Sequence, residues 1–181
     1  MYITRNTTRQ KVLLEQDKRI FRTSDLAVLW QISNKNTLLT TIKRYVKNQI
    51  FYRLAVGIYA TVPLTRLHPY EIGCAIAGPL SYISTESILA GEGIIMQQPM
   101  KITLIGKKSL EFEIAGHQYI CRYLNPKYLV NRLGIVDNGR FCTALSSRAV
   151  ADTRHFNSRY YFDNQKTIDL NLFNQIYLKE I

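Results

Sequence analysis

The chain has 181 residues, with 24 Lys or Arg against 13 Asp or Glu and a formal net charge of +11, which directs attention to polyanionic partners. Three widely spaced cysteines, Cys74, Cys121 and Cys142, exclude a disulfide framework or a zinc site. The longest uncharged run, Ile72 to Thr85, falls short of the ~20 residues of a spanning helix, and a charged N-terminus makes no secretory signal, so a reducing cytoplasm is the expected location.

Thr8 can cap a first helix carrying Val12, Leu13 and Gln16, and Thr23 or Ser24 can cap a second with Leu26, Leu29 and Trp30. A tight polar turn from Trp30 to Asn34 then leads into a longer helix. At about 100° per residue, Leu38, Leu39, Ile42, Tyr45 and Val46 gather on one arc, while Asn36, Thr37, Thr40, Lys43, Arg44 and Lys47 gather opposite. Lys35 falls outside the polar arc and reads as preceding the helix. From Asn34 to Arg53 there is no Asp or Glu. A solvated helix ordinarily mixes signs so that residues four apart pair, and this one forgoes that support, which predicts an anionic partner. Two short helices, a turn and a basic helix form the signature of a helix-turn-helix. Next, Ile50 to Leu54 and Ile58 to Val62 are β-prone around Gly57, which can take positive φ, and form the expected wing.

The polar face suits a major groove, where Asn pairs with adenine, Arg with guanine, and a Thr methyl meets the thymine methyl. The N-terminal part of a recognition helix reaches base edges. Asn36, Thr37 and Thr40 are therefore assigned to bases, Lys43, Arg44 and Lys47 mainly to phosphates, and Arg53 to the backbone beside the groove. Residues 1–66 hold 12 Lys or Arg against 3 Asp or Glu, whereas residues 67–181 hold 12 against 10. Basicity thus belongs to one segment, as expected if only that segment faces double-stranded DNA. A membrane surface is the poorer partner, because the opposite helix face belongs to a folded core. Pro63 and Pro69 bracket an expected stiff, extended link, so two domains are read, 1–66 and 67–181.

The second domain reads as mixed helix and strand. Pro69 to Ala77 has the apolar density of a packed helix, and another can start at Ser84 with Glu86 in its first turn. Lys101 to Ile105, Leu110 to Ile114 and His117 to Leu124 are strands. A short helix runs from Pro126 to Leu133, and Asn138-Gly139 turns a hairpin between Ile135-Val136 and Phe141-Cys142. Ser146 or Ser147 opens a helix through Asp152, and Ile168 to Leu178 repeats apolar residues at helical spacing.

No catalytic constellation emerges. Gly106-Lys107-Lys108-Ser109 has Lys101 where a phosphate loop needs its first glycine, and Gly91-Glu92-Gly93 lacks the third glycine of a dinucleotide fingerprint. His117 and Cys121 share a strand face but lie about 13 Å apart at about 3.3 Å per residue, too far to share a metal. Glu111 and Glu113 alternate with Phe112 and Ile114 as the wet face of a half-buried strand does. The expectation is a protein that is not an enzyme and uses neither metal nor cofactor.

Tyr82-Ile83-Ser84-Thr85-Glu86-Ser87-Ile88-Leu89, followed by Gly93-Ile94-Ile95 and Gln98-Pro99, resembles the hallmark segment of the AbiEi family of antitoxins from abortive-infection toxin–antitoxin systems. Arg53-Leu54 and Gly57-Ile58-Tyr59 are similar to that family's N-terminal wing, and the resemblance extends from about Thr7 to Asp152. Two places depart from it. Asn48-Gln49 stands where the family often ends its recognition helix on glycine, and Asn is the residue expected to take the left-handed conformation there. Ser146-Ser147-Arg148-Ala149 replaces a Pro-Glu-Arg-Ala run, although Arg148 and Asp152 match and can pair four apart on a helix. Local stability is the role expected of that pair.

The resemblance implies a cytoplasmic repressor of its own operon, whose partner gene encodes a nucleotidyltransferase-like toxin that the antitoxin counteracts without a stable complex. The sequence-level expectation is an α+β protein, a winged helix-turn-helix followed by a mixed α/β domain, acting as a repressor on paired half-sites, as a homodimer or by cooperative binding. The alternatives are a stand-alone winged-helix regulator without a toxin and a metal-dependent nucleic-acid-processing enzyme.

Overall fold

The computed structural model describes residues 9–165 and 168–180, apart from the side chains of 177–180, so the expected cap Thr8 lies outside the described residues. The chain mixes helix and strand and divides into two compact units, Met1–His68 and Pro69–Ile181.

In the N-terminal unit, residues 9–14 are helical (α1) and bury Leu13. They are followed by β1 (Ile20–Arg22), α2 (Thr23–Leu29), α3 (Lys35–Lys47), β2 (Tyr52–Ala55) and β3 (Ile58–Ala60). The strands form an antiparallel sheet in the order β1-β3-β2, with Phe21 opposite Tyr59 and Arg53 opposite Tyr59 from the other side. At three residues, β1 is too short to leave a periodic signal. Thr23 does not cap α2, because its amide and its hydroxyl both donate to the Gly57 carbonyl, at 2.9 and 3.3 Å. Arg22 holds the cap position instead, and its amide donates to the Asp25 carboxylate at 3.1 Å.

Three details of α3 differ from the sequence reading. Asn34 is the cap, its side-chain oxygen accepting the Thr37 amide at 3.0 Å, which makes Lys35 the first helical residue. Leu39 is exposed, and Thr41 takes the buried place. Thr41 can do so because its hydroxyl donates to the Thr37 carbonyl at 2.8 Å and leaves no polar atom unpaired. The helix then ends in paired bonds from Gln49 N–H to Val46 and from Ile50 N–H to Tyr45, at 3.1 and 2.9 Å. Gln49, not Asn48, carries the left-handed φ of 56°. Glycine adopts that conformation without the Cβ clash that costs about 1–2 kcal/mol, against about 0.5–1 kcal/mol of extra chain entropy lost on folding. Gln49→Gly is therefore expected to give a net stabilisation of about 0.5–1 kcal/mol in a urea melt.

Trp30, Tyr45, Phe51 and Tyr59 form a chain of rings with centroids 5.1 to 5.9 Å apart, tying α2, α3 and the sheet into one core. Such aromatics bury about 150–250 Å² each, which makes them the main cement of a small unit. The link expected to be extended coils into a 3-10 turn at Leu64–Arg66, and Arg19 donates to the Arg66 carbonyl at 3.3 Å.

The C-terminal unit runs α4 (Pro69–Ala77), β4 (Tyr82–Ile83), α5 (Glu86–Gly91), β5 (Ile102–Gly106), β6 (Leu110–Ile114), β7 (His117–Tyr123), α6 (Pro126–Leu129), β8 (Ile135–Asp137), β9 (Cys142–Ala144), α7 (Ser146–Phe156) and α8 (Leu170–Glu180). Its mixed sheet has the order β6-β7-β5-β4-β9-β8, with parallel pairs at β5/β7 and β4/β9. Although β5 and β6 are consecutive, β7 lies between them. Alternation along the strands divides the side chains between two faces. Leu104 and Tyr119 meet Gly73 of α4, while Tyr82 and Ile105 join Leu89, Ala149 and Val150 in a core built with α5 and α7. α8 packs on α7 and buries Ile176.

Candidate nucleic-acid interface and a buried polar network

Capping by Asn34 and burial of Leu38, Thr41, Ile42 and Tyr45 fix how α3 is rotated in its unit. That rotation leaves Asn36, Thr37, Thr40, Lys43, Arg44 and Lys47 exposed, and Lys35 and Leu39 with them. Arg53 is exposed on β2, in the hairpin whose tip residue Gly57 has φ of 72°. Among the described residues, no carboxylate pairs with Lys43, Arg44, Lys47 or Arg53, whereas Lys11, Lys18, Lys101, Arg122 and Arg148 all have acidic partners. The charges of the α3 cations therefore meet no counter-charge among the described residues, and no hydrogen bond among those residues occupies their side-chain donors.

The C-terminal unit holds a second polar arrangement of a different kind. Arg148 and Asp152 of α7 are buried at 0% and 1% exposure and pair through Nε and Oδ1 at 2.9 Å. Arg148 also donates to the Tyr82 hydroxyl at 2.9 Å and to the Asn131 carbonyl at 3.2 Å. Tyr82 and Ser84 donate to the Asp152 carboxylate at 3.2 and 2.6 Å. Burial pushes the Asp152 carboxyl upward, and Arg148, Ser84 and Tyr82 pull against it. Gly134 sits against this network with φ of 74°, and a Cβ there would meet Arg148 Cβ at 2.9 Å.

The same network accounts for most of the block from Tyr82 to Leu89. Tyr82 and Ser84 hold Asp152, and Ser87 exchanges hydrogen bonds with Thr103 at 2.8 and 2.9 Å. Leu89 fills the core. Thr85 precedes α5 with φ of 51° and ψ of −131°, a strained setting for a β-branched residue. Its buried hydroxyl makes no well-formed hydrogen bond among the described residues, although it lies close enough to Glu86 to favour that carboxylate.

Glu86 takes both prongs of Arg122, at 2.7 and 2.9 Å. Burial is the largest single influence and would raise its carboxyl, but the Arg122 hydrogen bonds, the bond from its own backbone amide, the nearby Thr85 hydroxyl and the Arg122 charge together hold the group below its ordinary 4.5. A lowered folded pKa adds stability that is present above the unfolded value and lost as pH falls through the folded one. Urea melts taken downward from pH 4.5 should accordingly lose stability less steeply in Glu86→Gln than in the wild type. Arg122 also lines an open groove of about 400 Å³ with Glu111, Ile120, Tyr123 and Phe156.

Along β7, His117 is exposed and Cys121 is buried; no three metal-binding side chains cluster among the described residues. Burial pushes the Cys74 and Cys121 thiols up to about 12 and about 11, a setting unsuited to nucleophilic work. No described helix is long and apolar enough to cross a membrane. Compared with known proteins, the chain matches no family model and no curated sequence.

Proposed function

We propose that the N-terminal unit is a winged helix-turn-helix that binds double-stranded DNA, and that the protein is a sequence-specific transcriptional repressor. The observation that carries this reading is the face of α3, where Asn36, Thr37, Thr40, Lys43, Arg44 and Lys47 are exposed together and the cations lack acidic partners among the described residues. In this reading Asn36, Thr37 and Thr40 meet base edges, while Lys43, Arg44, Lys47 and the wing residue Arg53 neutralise phosphates. One small domain reaches too few bases to be selective in a genome, so paired half-sites or cooperative binding complete the site. The test is selection of bound duplexes from a random pool, followed by titration of Arg44→Ala. The variant should weaken binding by about 1–3 kcal/mol on the selected duplex if Arg44 reads guanine, and equally on all sequences if it meets phosphate. Wild-type affinity in that variant would contradict the placement of α3 in the groove.

The block from Tyr82 to Leu89 favours a further layer, an antitoxin role in an abortive-infection operon. Its partner is then a nucleotidyltransferase-like toxin, counteracted in the cytoplasm without a stable complex. A nucleotidyltransferase-like reading frame beside this gene, toxic alone and tolerated on co-expression, would support that layer. Absence of such a frame would leave a stand-alone regulator.

A further inference from the structure

Leu39 is the apolar member of the exposed face of α3, with 41% of its surface open to water. The core side of the helix is completed without it by Leu38, Thr41, Ile42 and Tyr45. Its neighbours along the helix surface are Lys35 and Asn36 in the preceding turn and Lys43 in the following one. A single exposed leucine needs no partner as a rule. What distinguishes this one is its position in the N-terminal half of α3, between Asn36 and Thr40, the part of a recognition helix that approaches base edges.

A leucine gains nothing from phosphate oxygens and cannot bond to the donors or acceptors of a base edge. The major groove offers it one apolar feature, the C5-methyl group of thymine. We propose that Leu39 is a specificity-determining residue that packs on a thymine methyl, so that the preferred duplex carries thymine at that step. This inference rests on the DNA-binding reading above. Asn36, in the preceding turn, and Thr40, farther round the same polar face, supply the polar bonds that set the register, and Leu39 distinguishes thymine from cytosine, which lacks the methyl.

The experiment uses the full-length protein and a duplex recovered from a random pool by the wild type. Each thymine is replaced in turn by deoxyuridine, which keeps the base pair and removes the methyl. Wild-type affinity is expected to fall about fourfold at one step, the worth of burying one methyl group. Leu39→Ala should bind the thymine duplex more weakly than the wild type and show no change on that replacement. A wild type indifferent to every methyl, or a variant that keeps the wild-type response, overturns the role of Leu39 while leaving DNA binding intact. The wild-type series stands whatever the stability of the variant. A wild type that retains no duplex at all overturns both this inference and the reading beneath it.

Discussion

Asp152→Ala should destabilise the C-terminal unit by about 3–5 kcal/mol, because it strands the Arg148 guanidinium inside the core without a counter-charge. Arg148 is wholly buried, and three of its bonds, to Asp152, Tyr82 and the Asn131 carbonyl, presuppose the present arrangement. Without the carboxylate, the Ser84 and Tyr82 hydroxyls also lose their acceptor. Replacing both partners by apolar residues, as in Arg148→Met with Asp152→Leu, is expected to cost less than Asp152→Ala alone, since no charge is then left unpaired. Urea unfolding followed by far-ultraviolet circular dichroism measures the loss. Trp30 is the chain's single tryptophan and lies in the N-terminal unit, so its fluorescence shows whether the effect stays within the C-terminal one. A loss below about 1 kcal/mol would mean that the network contributes little to this fold.

The second large effect is on binding. Replacing Lys43, Arg44 and Lys47 together by Gln should lower affinity for duplex DNA about 500-fold near 0.1 M salt, at about 0.9 logarithmic units for each phosphate no longer neutralised. The salt dependence should flatten in proportion, by about 2.7 in slope. All three side chains are exposed, so unfolding should change little and a drop in affinity would reflect the missing charges. Unchanged affinity in the triple variant would place the DNA elsewhere or remove it from the account.

The polar side of α3 was legible because a helix of 13 residues repeats its pattern often enough to fix a face, and because missing acids are a compositional fact. Hydropathy misplaces Leu39 and Thr41, since it scores a leucine as core and cannot see the hydroxyl bond that lets a threonine be buried. The short strands β1 and β4 also left no signal. They become strands through pairing with Ile58–Ala60 and Ile102–Gly106, far along the chain. Likewise, the spacing of Arg148 and Asp152 predicts their pair, but not that Tyr82 and Ser84, 66 and 68 positions away from their partners, close the network. Caps and turns fared unevenly for the same reason. Asn138-Gly139 makes its hairpin locally, whereas Thr23 is diverted by Gly57, a neighbour only in the folded unit.

The most direct test of the central claim is the affinity of the wild-type protein for duplex DNA across a salt series, read by fluorescence anisotropy. An exposed, uncompensated cationic helix neutralising about six phosphates predicts a logarithmic slope near −5. Failure to retain duplex even at about 50 mM salt, or a slope near zero, would contradict it.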